Sequence, residues 1–476
     1  LRALNYFYLI RAFKDVPYTT QVINNDRQVT TFGETNQLQI LDSIILDCEK
    51  VKGQARNRFT RDADSKGMIT NAAIYAMLAD MYLWRGSLHQ GRGMLEDSVK
   101  VDTGYVVHTV KGDYQLAADY ADLSLASLAK QNQDRFSSSY NPDIIDTENY
   151  GLENCDMIEN DFTGAYQSTA PLLEAQEYIF TNKNSIESIF ELQYSSGEQE
   201  NSAVNHLYGY STGSHLEVSQ DALGVCYGGW GNAKYDSRMW VGAQNLVTTN
   251  ISSSSTALSG YYCVKWQRPD VNWTGQQTSR EIKNVEISSN KWRNWIIYRM
   301  TDVMLMKAEA LACIGGAANN TLAKNIVNAI HRRSYCNYNE SKPVSPDLTS
   351  GSTNGNATNN SDIVVMVLNE RQIELLGEGK RWFDLVRYAE RNSDSASEAA
   401  DEREATEEKH VGNGQKGMIK MVDTFLRNAY SNYYTTLKNR FKNRYGLYSP
   451  IYYMDVKASD GKLHQNPVWN KSKYDQ

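Results

Sequence analysis

A chain of 476 residues with a net charge of −7 is long enough to bury a sizeable core and has no global pull toward nucleic acid or an anionic bilayer. No apolar run approaches the roughly 20 residues that cross a membrane, and six cysteines without a C-x-x-C pair argue against a zinc site. Tyrosine stands out, with 31 Tyr and 9 Trp against 11 Phe, and both residue types suit packing under polar loops or stacking on sugars.

Helical periodicity predicts helices over 1–13, 36–52, 69–85, 113–130, 171–182, 299–314, 321–333, 362–377, 381–391 and 417–440. The first is already in period at Leu1, so further chain is expected ahead of it. The stretch 68–84 is the clearest helix. Ala73, Ala76 and Ala79 leave a shallow groove, while Met77, Met81, Tyr82 and Leu83 can fill a neighbour's. That pattern suits a degenerate tetratricopeptide-type repeat, in which helix pairs stack. Ser188 to Tyr194 alternates as a strand does.

From Tyr194 to Trp295, Tyr and Trp recur among Gly and Ser over roughly a hundred residues, too long for a structureless loop in a compact domain. Short strands and turns are expected there. Cys226 and Cys263 bracket part of this region and are the only disulfide pair put forward. Residues 349–361 are all Thr, Ser, Gly, Asn and Ala and read as a surface loop, and 398–409 as a solvated, acidic insertion.

The stretch 362–387 carries charge where a plain amphipathic helix would carry hydrocarbon. Ser361 or Asp362 caps it, and Ile363 and Val367 define a face that continues to Glu370 and Glu374. Carboxylates on a packing face need partners, because an isolated buried charge costs several kcal/mol. Arg371 and Arg381 are the partners expected from within the segment, and Arg299 with Asp302, one turn apart, is a second predicted pair. Gly377 and Gly379 then break the helix, and Trp382, Phe383 and Leu385 anchor the next one.

Glu370, Arg371, Glu374, Leu375, Glu378, Gly379, Arg381, Asp384, Leu385 and Arg387 fit an E-R-x-x-E-L-x-x-E-G-x-R-x-x-D-L-x-R run. That run resembles the signature of the RagB/SusD family of Bacteroidetes surface lipoproteins. Other matches fall in the family's order. The first helix leads into Lys14-Asp-Val-Pro17, with Lys14 where the family often has glycine. Glu187 to Tyr194 resembles the strand before the family's variable region, and Tyr298 to Leu311 its R-x-x-D-V-L-L-M-x-A-E-A helix. Asp236 and Arg238 resemble its D-x-R element, read as structural. Leu447 to Ile451 and Asn466 to Trp469 resemble its closing segment.

The resemblance implies a mainly α, SusD-like fold in one domain, with 1–193 and 296–391 as helical-repeat scaffold. Residues 194–295 would be the loop-rich ligand region, and 392–476 an insertion and closing segment. It implies a protein tied to the outer membrane by an N-terminal lipid, which binds a glycan and passes it to a SusC-like TonB-dependent transporter. An oligopeptide is the alternative ligand. Candidate ligand residues are Trp230, Trp266 and Trp273 with Tyr227 and Tyr235, joined by Asn25 and Arg27, near Tyr18 and Asn24, after the first helix. No cofactor, metal or nucleic acid is called for, and a structural calcium stays open. Glu370 and Glu374 could be read as a glycosidase pair, but adjacent arginines keep such carboxylates ionised, which spoils a general acid. A bare helical-repeat scaffold is the remaining reading, and the aromatic region argues against it.

Overall fold

The structure is a computed structural model. It describes residues 1–29, 33–59, 65–94, 96–101, 104–135, 179–180, 183–195, 197, 199–208, 216–218, 238, 244–245, 261–263, 265–266, 268–273, 280–286, 293–334, 363–392, 431–433, 435–437 and 444–469. Contacts sort the chain into two compact units. The first comprises Leu1–Gln54, Met77–Ala117 and Trp382–Gln476, and the second Ala55–Ala76 and Ala118–Arg381.

In chain order the elements begin with α1 (Arg2–Phe13), β1 (Val16–Pro17), α2 (Asp26–Val29), β2 (Glu34–Thr35), α3 (Gln37–Val51) and α4 (Asn71–Gly91). There follow β3 (Glu96–Val101), β4 (Gly104–Thr109), α5 (Val110–Arg135), β5 (Ser188–Leu192) and α6 (Ser202–Tyr208). Short strands come next: β6 (Glu217–Val218), β7 (Gln244–Asn245), β8 (Tyr261–Tyr262), β9 (Arg268–Trp273), β10 (Arg280–Glu286) and β11 (Trp295–Arg299). The chain then returns to helix in α7 (Met300–Ile314), α8 (Ala317–Ser334), α9 (Ile363–Glu374), α10 (Arg381–Arg391) and α11 (Tyr453–Ala458).

In the first unit α1 packs on α3, burying Phe7 and Ile10 of one and Leu41 and Ile44 of the other. Asn36 caps α3 by accepting the Leu38 N–H through its side chain. Arg11 is buried, with its guanidinium 4.1 Å from the Phe7 ring, 4.5 Å from that of Phe383, and 3.1 Å from Asp80. Lys14 ends α1 at φ 70°, the left-handed region that a glycine fits without strain, and its ammonium lies 3.9 Å from the Tyr445 ring centre. The glycine expected from the family is thus replaced by a lysine held by an aromatic face. In the closing segment, Tyr448 donates to Glu390 at 2.6 Å, and Asn466 and Trp469 both donate to the Tyr448 carbonyl.

In the second unit α7, α8 and α9 pack pairwise. The predicted strand at 188–194 is β5, and it pairs antiparallel with β11 from Trp295↔Leu192 to Arg299↔Ser188. The short strands expected between 194 and 295 form an antiparallel β9–β10 pair and a three-stranded β6-β8-β7 sheet. Helix α9 stops at Glu374, three residues before the predicted end. Of the helix predicted at 171–182, Ile179 and Phe180 are described and helical. Residues 349–361 and 398–409, and most of 417–440, lie outside the described residues, although Ser431–Tyr433 forms a 3-10 turn. Among the described residues no helix is long and apolar enough to cross a membrane.

Candidate functional site

Glu370, Glu374 and Glu378 succeed one another at four-residue steps along α9 and the turn after it, and all three are buried. Glu374 sits where three arginines converge. Its Oε1 accepts from Arg299 and Arg333, both at 2.7 Å, and its Oε2 from Arg238 at 3.0 Å. Arg238 also reaches Glu370 at 2.5 Å. Arg299 grips Glu378 through Nε and Nη2, each at 2.8 Å, and Lys265 meets the same carboxylate at 2.8 Å. Glu187, just before β5, receives Arg333 at 2.6 Å.

Burial alone would push the Glu374 carboxyl up. Arg333, Arg299, Arg238 and Lys265 together overturn that and hold it well below the usual carboxylate range. Glu378 is lowered in the same way, by Arg299 and Lys265 against burial. A buried carboxylate with three charge-assisted donors is ionised and rigid, and it is costly to disturb.

The partners differ from those the sequence suggests. Arg371 bonds Asp302 of α7 at 3.0 Å, not Glu374, and Asp302 takes Lys380 as well as Arg371, not Arg299. Arg381 donates to the Leu368 carbonyl at 2.9 Å. Arg371 and Glu374 are neighbours one turn apart on α9, but the Arg371 guanidinium is taken by the carboxylate and carbonyl of Asp302, while Glu374 is taken by Arg299, Arg333 and Arg238. Arg333, Lys265, Glu187 and Lys380 were not foreseen as members. Arg333 had a signal, being in helical period with the buried Ile326 and Ile330. Lys265 had none.

Beside this network lies an apolar cluster of Ile179, Phe180, Val204, Tyr208, Cys263 and Trp266 with Ile296 and Ile373. Trp266 is 0% exposed. It stacks on Trp295 with ring centres 4.9 Å apart and planes 5° from parallel, lies 4.5 Å from the Tyr208 ring and 5.0 Å from that of Phe180, and donates Nε1–H to the Asn294 carbonyl at 3.2 Å. Its faces and its donor are used inside the protein, so the expectation that it stacks on a ligand is corrected: Trp266 is a core residue. The predicted Cys226–Cys263 disulfide is corrected too. Cys263 carries a free, buried thiol, which burial pushes up to about 11, and Cys226 lies outside the described residues.

Gly377 explains the tight fit. Its φ is 79°, and a Cβ there would come 2.7 Å from Cys263 Sγ and 3.2 Å from the Tyr208 ring, while the Tyr208 hydroxyl donates to the Gly377 carbonyl. Gly377→Ala is expected to lower the melting temperature. Gly377→Ala with Cys263→Ala should recover the part due to sulfur and leave the contact with Tyr208 and the loss from positive φ, the latter about 1–2 kcal/mol. Equal melting temperatures for the single and double variants would show that the contact with sulfur carries no strain.

Asn25 and Arg27 are exposed, in and just before α2 of the first unit, with Asn24 donating its backbone N–H to Gln28 at 2.7 Å. Tyr18 packs edge-on to Tyr6 at 4.7 Å. Trp273 ends β9 in the second unit, where its backbone pairs with Arg280. Trp230, Tyr227 and Tyr235 lie outside the described residues, as does Asp236, whereas Arg238 is fully buried in the ion network. Among the described residues no group of three or more His, Cys, Asp or Glu could hold a metal.

A sequence profile of the SusD family matches residues 129–469. This chain belongs to the SusD family. SusD-like protein P2 of Formosa agariphila is 25% identical over 399 residues, which cover 81% of this chain and 63% of that protein. SusD-like protein P38 of the same organism is 36% identical over 94 residues, 20% of this chain and 17% of its own. The chain therefore spans less than two thirds of the length of either relative. Among solved structures, a SusD homolog from Bacteroides thetaiotaomicron aligns with 98% of this chain and 74% of its own at a TM-score of 0.53 and 17% identity. A SusD superfamily protein from Bacteroides fragilis aligns with 98% and 77% at 0.53 and 17%. The fold is SusD-like and mainly α, as the motifs imply.

Proposed function

We propose that this chain binds a glycan at the outer face of the outer membrane, held there by an N-terminal lipid, and passes it uncleaved to a SusC-like TonB-dependent transporter. The observation that carries the reading is the match to the SusD family over 129–469, a range that takes in the whole aromatic stretch 194–295 and every member of the ion network. A pyranose offers an apolar C–H face rimmed by hydroxyls, and Tyr and Trp answer both. The carboxylates support capture without cleavage: Glu374 is enclosed by arginines and held ionised, so it has no proton to give a leaving group. The reading calls for no cofactor.

Affinity electrophoresis of the purified chain through polysaccharide gels, with reducing-end release measured in the same samples, tests this directly. Retardation without release is the expected result. Binding of peptides and not of glycans would move the ligand class, and release of reducing ends would end the non-catalytic reading. Within the proposal, Trp273→Ala should weaken glycan binding by about 1–3 kcal/mol, the range for a truncated aromatic contact, with an unchanged melting temperature. Wild-type affinity in that variant, measured by calorimetry, would take Trp273 out of the site.

A further inference from the structure

The aromatic stretch is tied to the helical scaffold by charges of its own. Arg238 and Lys265 both belong to the chain between Tyr208 and Trp295, and they are 0% and 1% exposed. Each grips a different part of one glutamate face. Arg238 bonds Glu370 at 2.5 Å and Glu374 at 3.0 Å, while Lys265 bonds the Glu374 carbonyl at 2.6 Å and Glu378 at 2.8 Å. Next to these grips, Tyr208 donates to the Gly377 carbonyl and Cys263 packs against Gly377.

We propose that Arg238 and Lys265 are positioning residues for ligand binding, two cationic rivets that fix β6 to β10 on the glutamate face of α9. The inference rests on the reading of 194–295 as the ligand region. Its physical basis is the smallness of the described strands: among the described residues β6, β7 and β8 are two residues each, and β9 and β10 pair only with each other. Such pieces are marginal in water unless they pack on something else. Apolar contacts alone tolerate sliding, whereas buried charges bonded to fixed oxygens fix one register. Glu374 and Glu378, in turn, have cationic partners outside the stretch as well. Glu374 keeps Arg299 and Arg333, and Glu378 keeps Arg299, when the two rivets are removed. Losing a rivet should therefore loosen the strands before it loosens the helices.

Hydrogen exchange read by mass spectrometry separates these layers without any ligand. Arg238→Met and Lys265→Met should each speed exchange of the β8, β9 and β10 amides about tenfold and leave those of α7 and α8 at wild-type rates. Arg85→Met is the control, since Arg85 is an equally buried arginine that pairs with Asp42 and Asp113 in the first unit. It should lower the melting temperature and leave β8–β10 exchange unchanged. If Arg238→Met does not fold, Arg238→Lys carries the test, with a smaller acceleration in the same strands. Uniform acceleration across helices and strands, or none in the strands, overturns the proposal.

Glycan affinity of the folded variants, measured by calorimetry, is the second arm, with about a tenfold rise in Kd expected for Arg238→Met and partial rescue in Arg238→Lys. Wild-type affinity in Arg238→Met, with its strands loosened, removes the positioning role. A wild-type chain that binds no glycan while the strands loosen as described leaves the rivets standing and sinks the ligand reading instead.

Discussion

Replacing Glu374 by alanine is expected to destabilise the protein by about 3–5 kcal/mol, the cost of removing one partner from a buried ion cluster. Three guanidinium groups converge on this carboxylate at 2.7, 2.7 and 3.0 Å, and all stay buried when it goes. Glu374→Gln should recover little, because it restores shape without charge. The corrected pairing gives a sharper check. Glu374 and Arg299 share a bond and should couple strongly in a double-mutant cycle, while Glu374 and Arg371, which bonds Asp302, should couple more weakly. Urea unfolding followed by circular dichroism reads both. A Glu374–Arg371 coupling as large as that of Glu374–Arg299 would restore the local pairing and contradict the structure.

The same network fixes the acid response. Glu374, Glu378 and Asp302 all titrate below their ordinary range in the folded protein, because the cations around them outweigh burial. A depressed folded pKa contributes stability that is fully present above the unfolded value. It is lost as pH falls from there toward the folded one. Stability from these groups should hold from pH 8 down to about 5, and fall progressively below the ordinary carboxylate range of about 4. Glu374→Gln should flatten that acid limb. An unchanged limb in the variant would mean that other carboxylates govern acid unfolding.

Helices α1, α3, α7 and α10 begin and end within a residue or so of where periodicity puts them, because their apolar stripes are local signals. The early stop of α9 is local too. Gly377 and Gly379 are breakers by composition, and their φ values of 79° and 73° show why helix cannot continue through them. Lys14 was legible as an oddity against the family pattern, and its φ supplies the reason. The ion partners were not legible. Glu374 meets Arg238 from 136 residues away and Lys265 through its carbonyl from 109, separations that no helical step encodes. Sequence proximity favoured Arg371 for Glu374, and three-dimensional packing gave it to α7. The aromatic residues failed differently. A Trp in a Gly-rich stretch is chemically fit both to stack on a sugar and to fill a core, and composition alone does not divide the two roles.

Trp266 is where that division can be measured. Trp266→Ala is expected to cost about 3–5 kcal/mol in stability, as buried aromatic truncations do when their surroundings relax only in part. Here relaxation is limited, because Trp295, Tyr208 and Phe180 each press on the ring and Asn294 loses its donor. The same ring backs Tyr208, whose hydroxyl bonds the Gly377 carbonyl, so the cavity opens beside the turn that carries Glu378. Trp266→Phe should lose less, since it keeps a ring in the gap but not the indole donor. Urea unfolding gives the stability, and near-ultraviolet circular dichroism follows the Trp266–Trp295 stack, whose signal should vanish in both variants. A Trp266→Ala protein as stable as wild type, with weakened glycan binding, would return this residue to the ligand surface. A protein several kcal/mol less stable would keep this residue in the core.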